Sequence, residues 1–145
     1  MAGSLSPIIV ALTLGLAAPL PALAQDGDTS GAAAPVGAWL VQTIEGAPTD
    51  AGVETTLVIT PGGRASGTGG CNRFNAEAMI DGEQIHFGQA MATRMACQEA
   101  AMRQEAGFFA ALSNITAWRV LEDGRLELTD AVGQAVLTLT RGQSA

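Results

Sequence analysis

The sequence predicts a mainly β fold of the α+β kind: one compact domain, a curved antiparallel sheet or small barrel, with one helix packed on it. Three observations predict it. Short β-rich runs recur between turn signals, as in GAWLVQTI over 37–44, TTLVIT over 55–60 and QAVLTLT over 134–140. Asp81-Gly82 and Asp123-Gly124 each separate two such runs, which is the mark of a hairpin. A single stretch, 98–112, has helical spacing. The repeated strand–helix alternation of a parallel doubly wound sheet is missing.

The elements follow in order. Gly37 to Ile44 is the first strand, with Trp39 as its large apolar residue. Thr55 to Thr60 is the next and ends at the turn Pro61-Gly62-Gly63. Arg64 to Gly70 is an odd strand. Its glycines and serine leave little to pack, which predicts a bulge or a close backbone approach. Ala76 to Ile80 and Gln84 to Phe87 flank Asp81-Gly82; Ala117 to Leu121 and Arg125 to Thr129 flank Asp123-Gly124. In the helix, Ala101, Met102, Phe108, Phe109 and Leu112 are expected on the buried face. Ala100, Arg103, Gln104, Gly107 and Ala111 are expected opposite. Glu105 falls inside the apolar face. A carboxylate there needs partners, because an unpaired buried ion costs several kcal/mol.

Residues 1–24 carry no charged side chain. An apolar run, Ile8 to Leu16, leads to Pro19, Pro21 and the small residues Ala22 and Ala24. This predicts a signal peptide over 1–24, cut after Ala24. A flexible linker over 25–35 and a domain over 36–142 follow. Pro7, Pro19 and Pro21 keep the apolar stretch below the ~20 residues of a membrane span. No cysteine follows the cut, so a lipoprotein is not expected. The reading is a periplasmic or secreted monomer with no membrane anchor after cleavage.

The chain has no lysine, seven arginines and fourteen acids, for a net charge of −7. That balance argues against a nucleic-acid partner and against adsorption to anionic lipid.

Cys71 and Cys97 are the only cysteines. In an exported chain they read as a disulfide, worth roughly 3–4 kcal/mol for a loop of this size. A metal site with His86, a catalytic thiol and two free thiols are the competing readings. None has a recognisable pattern: there is no CxxC pair and no second histidine. No metal or cofactor is expected. Beside the cysteines stand Asn72, Arg73 and Arg94. Together with Glu105 they are the structural or binding candidates. They make either a small anion or peptide site or an internal network. In that network Glu105 is held by Arg94, by Arg73, or by backbone N–H groups of residues 91–96. Gly63, Gly67, Gly69 and Gly70 do not match a phosphate loop. His86 alternates with Ile85 and Phe87 and is expected to face solvent. Met79, Met91, Met95 and Met102 read as core fillers rather than copper ligands. No nucleophile or acid–base constellation is visible, so the chain is not expected to be an enzyme.

Three segments together resemble a known family: Gly69-Gly70-Cys71-Asn72-Arg73-Phe74, Ile85-His86-Phe87-Gly88 and Met91-Ala92-Thr93-Arg94-Met95-Ala96-Cys97. They resemble the META domain, typified by the bacterial heat-shock protein HslJ. The likeness covers about Val36 to Thr140, including the Trp39 strand and the helix bearing Glu105. It implies a compact, mainly β domain with one helix, found in exported bacterial proteins and lipoproteins. It also implies association with heat shock, envelope stress, antibiotic tolerance or motility, and no catalytic residues. This chain departs from lipid-anchored relatives in having Gln25 where they carry the acylated cysteine. The expected function is a non-enzymatic periplasmic module that binds a protein or small ligand of the envelope. The alternative is an interaction or protease-inhibitor-like module acting on a secreted partner.

Overall fold

Alternating side chains build a closed wall. In the computed structural model, residues 35–142 are described continuously, with positions 3, 7–9, 11, 15 and 17 before them. The expected signal peptide and linker lie outside the described residues, apart from those positions and Pro35. Among the described residues, ten strands and one helix follow in the order β1 (Gly37–Ile44), β2 (Ala47–Pro48), β3 (Thr56–Ile59), β4 (Arg64–Thr68), β5 (Arg73–Asp81), β6 (Gln84–Phe87), β7 (Met91–Ala92), α1 (Glu99–Leu112), β8 (Ala117–Val120), β9 (Leu126–Thr129) and β10 (Ala135–Arg141). No described helix is long and apolar enough to cross a membrane.

Eight of the strands form one antiparallel barrel in the order β10, β9, β8, β6, β5, β4, β3, β1, closed by β10 against β1. Closure runs from Trp39 opposite Arg141 to Ile44 opposite Leu137, with a register shift between Val41 and Thr43. The seam between β6 and β8 is thin. One residue pair, Gln84 with Ala117, makes it, flanked by bonds from Ile85 N–H to the Thr116 carbonyl and from Trp118 N–H to the Glu83 carbonyl. Strands β2 and β7 lie outside the wall, against β1 and β5. Two residues carry no readable alternation, and neither strand was predicted.

The period of two sends alternate side chains inward. Trp39 and Val41, Leu57 and Ile59, and Phe74, Ala76 and Ala78 are buried from three strands of the wall, and Leu126, Leu128, Leu137 and Leu139 from two others. The barrel interior is therefore a packed core rather than a container.

Several expectations shift in detail. β5 begins at Arg73, three residues before the predicted start. Asp81 pairs with Gln84, so the hairpin loop is Gly82-Glu83, one residue later than expected. The β1–β2 turn, Glu45-Gly46, has both residues at positive φ (49° and 80°), the primed geometry that suits strand twist.

The helix is rotated relative to its predicted face. Its buried stripe is Ala101, Gln104, Glu105, Phe108, Ala111 and Leu112. Gln104 and Ala111 were expected opposite; Met102 and Phe109 are only half-buried. A wheel weighted by hydrophobicity turns a glutamine outward, whereas this amide is fully hydrogen-bonded inside. The helix lies against the barrel end where β3 and β5 begin and β4 finishes. There Phe74 meets Phe108 edge-on at 5.4 Å and Phe109 at 5.5 Å.

Candidate functional site

Two regions concentrate polar side chains. The first is the joint between α1 and the barrel end. Glu105 Oε1 accepts hydrogen bonds from the backbone N–H groups of Asn72 (2.5 Å) and Cys71 (3.2 Å). Its Oε2 accepts one from Asn72 Nδ2 (2.8 Å). Asn72 is itself a hub. Its Nδ2 also donates to the Met95 carbonyl, and its Oδ1 accepts from Thr93 Oγ1 and Met95 N–H. The neighbouring Gln104 works the same way on another loop. Its Oε1 accepts from Asp50 N–H, and its Nε2 donates to the Val53 carbonyl and Thr55 Oγ1. Thr55 Oγ1 passes the chain on to the Gly69 carbonyl.

Glycine makes this joint possible. A Cβ on Gly69 would stand about 3 Å from Glu105 and Phe109, and one on Gly70, at φ +147°, would stand 2.9 Å from the Ala101 carbonyl oxygen. The backbone must come this close for its N–H groups to reach the carboxylate. The Cys71–Cys97 disulfide, with Cα atoms 5.9 Å apart, ties the same loop to the residue just before Gln98, the helix N-cap. Among the described residues, every buried side-chain nitrogen and oxygen has a partner.

The arginines predicted to hold Glu105 do not. Arg73 and Arg94 are exposed, and neither forms an ion pair among the described residues. The carboxylate is held by the N–H groups of Cys71 and Asn72 rather than those of residues 91–96. The 91–96 segment reaches it only through Asn72. Backbone donors suffice because several N–H dipoles converging on one carboxylate stabilise its charge without a cation. His86 is exposed on β6, opposite Met79.

The second region was not anticipated. On the outer surface of β1, β3 and β4, six outward residues are half-buried instead of exposed, whereas those of the neighbouring β5 are exposed. Ala38, Leu40, Thr56, Val58, Ser66 and Thr68 floor an open trough of about 1010 Å³. At Gly67, at φ +150°, the backbone runs so close to β3 that any side chain would collide with the Thr56 carbonyl. This is the close approach that the glycine-rich strand predicted. Arg73 and Asn75 stand on the β5 flank, Arg141 and Gly142 on the β10 flank, and Glu54 at the entry to β3. The Arg141 guanidinium lies 4.0 Å from the Trp39 ring centroid and donates to the Val36 carbonyl at 3.2 Å. Gly37, at φ +135°, leaves room for its Nη1. Half-burial of outward positions has no sequence signature, since it depends on which strands come to lie side by side. The one available signal was Ser66-Gly67-Thr68, too small to fill its own surface.

The META domain family matches residues 32–143. Among curated proteins, no sequence matches this chain. Two solved structures share the fold. An NMR structure of a protein from Burkholderia xenovorans has a TM-score of 0.59 at 24% identity, over 74% of this chain and 83% of that one. A second NMR structure has a TM-score of 0.54 at 20% identity, over 72% of this chain and 87% of the other.

Proposed function

This chain belongs to the META domain family, and from that premise we propose that it is an exported, non-catalytic binding module whose outer trough receives its ligand. One observation carries the reading. The trough gathers the Ser66 and Thr68 hydroxyls and the Arg73 guanidinium, which have no hydrogen-bond partner among the described residues, whereas the polar groups at the helix joint are consumed internally. A ligand would supply what the Ser66 hydroxyl and the Arg73 guanidinium lack. The lining also supports binding over catalysis: it holds one carboxylate, Glu54, and neither histidine nor thiol. Export to the periplasm or beyond is supported by the disulfide and by the leader-like pattern of residues 1–24. A role in envelope or heat stress and antibiotic tolerance is supported by the family resemblance.

The test is capture from heat-stressed envelope extract by the mature chain and by Ser66→Trp. That substitution fills the trough floor from an outward position. Capture by the wild type, lost in Ser66→Trp at unchanged melting temperature, supports the reading. Equal capture by both would refute it.

A second reading, an interaction or inhibitor-like module acting on a secreted partner through a loop, is favoured by Met91 and Met95. They are 72% and 60% exposed and lie within the stretch that the disulfide closes. Loss of capture in a Met91→Ser, Met95→Ser double variant, with Ser66→Trp still active, would select it.

A further inference from the structure

We propose that the segment Met91 to Cys97 is a substrate-like inhibitory loop for secreted serine proteases that cleave after arginine, with Arg94 as the residue offered to their specificity pocket. The loop is that of the second reading, on which this partner class rests, and none of its residues lines the trough.

Such a loop must be exposed, extended and stiff. A protease binds an extended segment, and stiffness lowers the ordering cost of binding. Every residue from Met91 to Glu99 is exposed. After β7 the chain runs from Thr93 to Gln98 without helix, turn or bend. Both ends are tied. Met91 and Ala92 pair with Asn75 and Phe74 of β5, and the Thr93 N–H donates to the Arg73 carbonyl at 3.0 Å. At the other end Cys97 is bonded to Cys71. Between them one buried side chain braces the loop from behind. Asn72, 3% exposed, accepts from Thr93 Oγ1 (2.9 Å) and from the Met95 N–H (2.6 Å), and donates to the Met95 carbonyl (3.1 Å). Glu105 in turn fixes Asn72. The brace grips the residues on either side of Arg94 and leaves Arg94 itself outside.

The arginines select the partner. Arg64, Arg73, Arg94 and Arg141 lack an acidic partner among the described residues. Three of these lie in β4, β5 and β10, within the barrel wall. Arg94 lies outside any strand or helix, and its own N–H and carbonyl make no hydrogen bond among the described residues. A protease must reach that carbonyl, and an acidic specificity pocket takes an arginine side chain.

The brace also explains why such a loop would block the enzyme rather than be consumed. The protease's serine hydroxyl adds to the Arg94 carbonyl carbon. The bond from that carbon to the Met95 nitrogen breaks, and the hydroxyl proton passes through the protease's histidine to the departing nitrogen, leaving an acyl-enzyme and a free amine. An ordinary substrate loses its amine product to solvent. Here Asn72 and the disulfide keep Met95 beside the ester. The amine re-attacks, the peptide bond re-forms and the serine regains its proton, at the high effective concentration of a held nucleophile.

Inhibition of trypsin by the oxidised mature chain, read with a chromogenic arginine substrate, tests this. Activity should fall in proportion to added chain, with the Arg94–Met95 bond cut slowly and incompletely. Arg94→Ala, a change to an exposed side chain, should weaken inhibition about a hundredfold, the scale of a central hot spot. Arg94→Lys should retain it, and Arg94→Leu should transfer it to chymotrypsin. Ser66→Trp should inhibit as wild type does. Trypsin that stays fully active, with the loop intact or cut through, overturns the inference, as does inhibition unchanged by Arg94→Ala or abolished by Ser66→Trp. If trypsin stays active while capture still depends on Met91 and Met95, the inference falls and the loop remains a binding surface.

Discussion

The helix joint and the outer trough use similar polar chemistry to opposite ends. At the joint, Glu105, Asn72 and Gln104 are buried, and each polar atom has a partner within the chain. At the trough, hydroxyls and the Arg73 guanidinium line an open concavity without partners among the described residues. A satisfied buried network fixes one arrangement of loops. An unsatisfied open one leaves hydrogen-bonding capacity for something else. The residues that mark the family, Gly69 to Phe74 and Met91 to Cys97, belong largely to the first kind. Their task is to hold the helix against the barrel end.

The comparison can be broken first at Glu105. Glu105→Leu leaves two backbone N–H groups and one of the two Asn72 Nδ2 N–H bonds without an acceptor. It should cost about 3–5 kcal/mol, as expected when one partner of a buried charged network is removed. Urea denaturation would read this as a lower midpoint at similar slope; an unchanged midpoint would mean the carboxylate is dispensable. Next comes the disulfide. A Cys71→Ser, Cys97→Ser double variant releases a 26-residue separation and should lose about 3.5 kcal/mol in the chain-entropy model. Trough substitutions should behave differently. Ser66→Ala is expected to stay within about 0.5 kcal/mol of wild type, as for a surface site that packs nothing.

The smallest effect concerns an exposed hairpin remote from both regions. The Arg125 backbone N–H, and then its side chain, bond the Asp123 carboxylate and hold its pKa below the ordinary aspartate value. The folded state thus favours the ionised form. The resulting stabilisation is present above the ordinary aspartate pKa and disappears as pH falls through the lowered one. Carboxyl-detected NMR titration should find Asp123 titrating below a typical aspartate, with only a slight change in stability.

Much of this fold is legible in the sequence, because alternation survives wherever one face is buried. Trp39 and Val41, or Leu137 and Leu139, announce their strands. The Asp81 and Asp123 turn pairs announce hairpins to within a residue. What is lost has physical causes. A two-residue strand such as Met91–Ala92 has no period to read. Gln104 looks like a surface residue because hydrophobicity ignores how completely an amide can be bonded. The place of Glu105 on the helix was readable, but its partners were not. Sequence shows side-chain charges such as Arg94, whereas the groups that hold Glu105 include the main-chain N–H groups of Cys71 and Asn72. The trough was hidden for a further reason. It is a property of three adjacent strands together, and no single strand carries it.

The most direct measurement is amide chemical-shift mapping of the mature chain as the captured partner is added. The account predicts shifts gathered at Ala38, Thr56, Ser66, Thr68 and Asn75, with the amides of Cys71 and Asn72 unmoved. Shifts confined to Asn72 and to the segment from Thr93 to Ala96 would contradict it, since the helix joint would then be the place where ligands arrive.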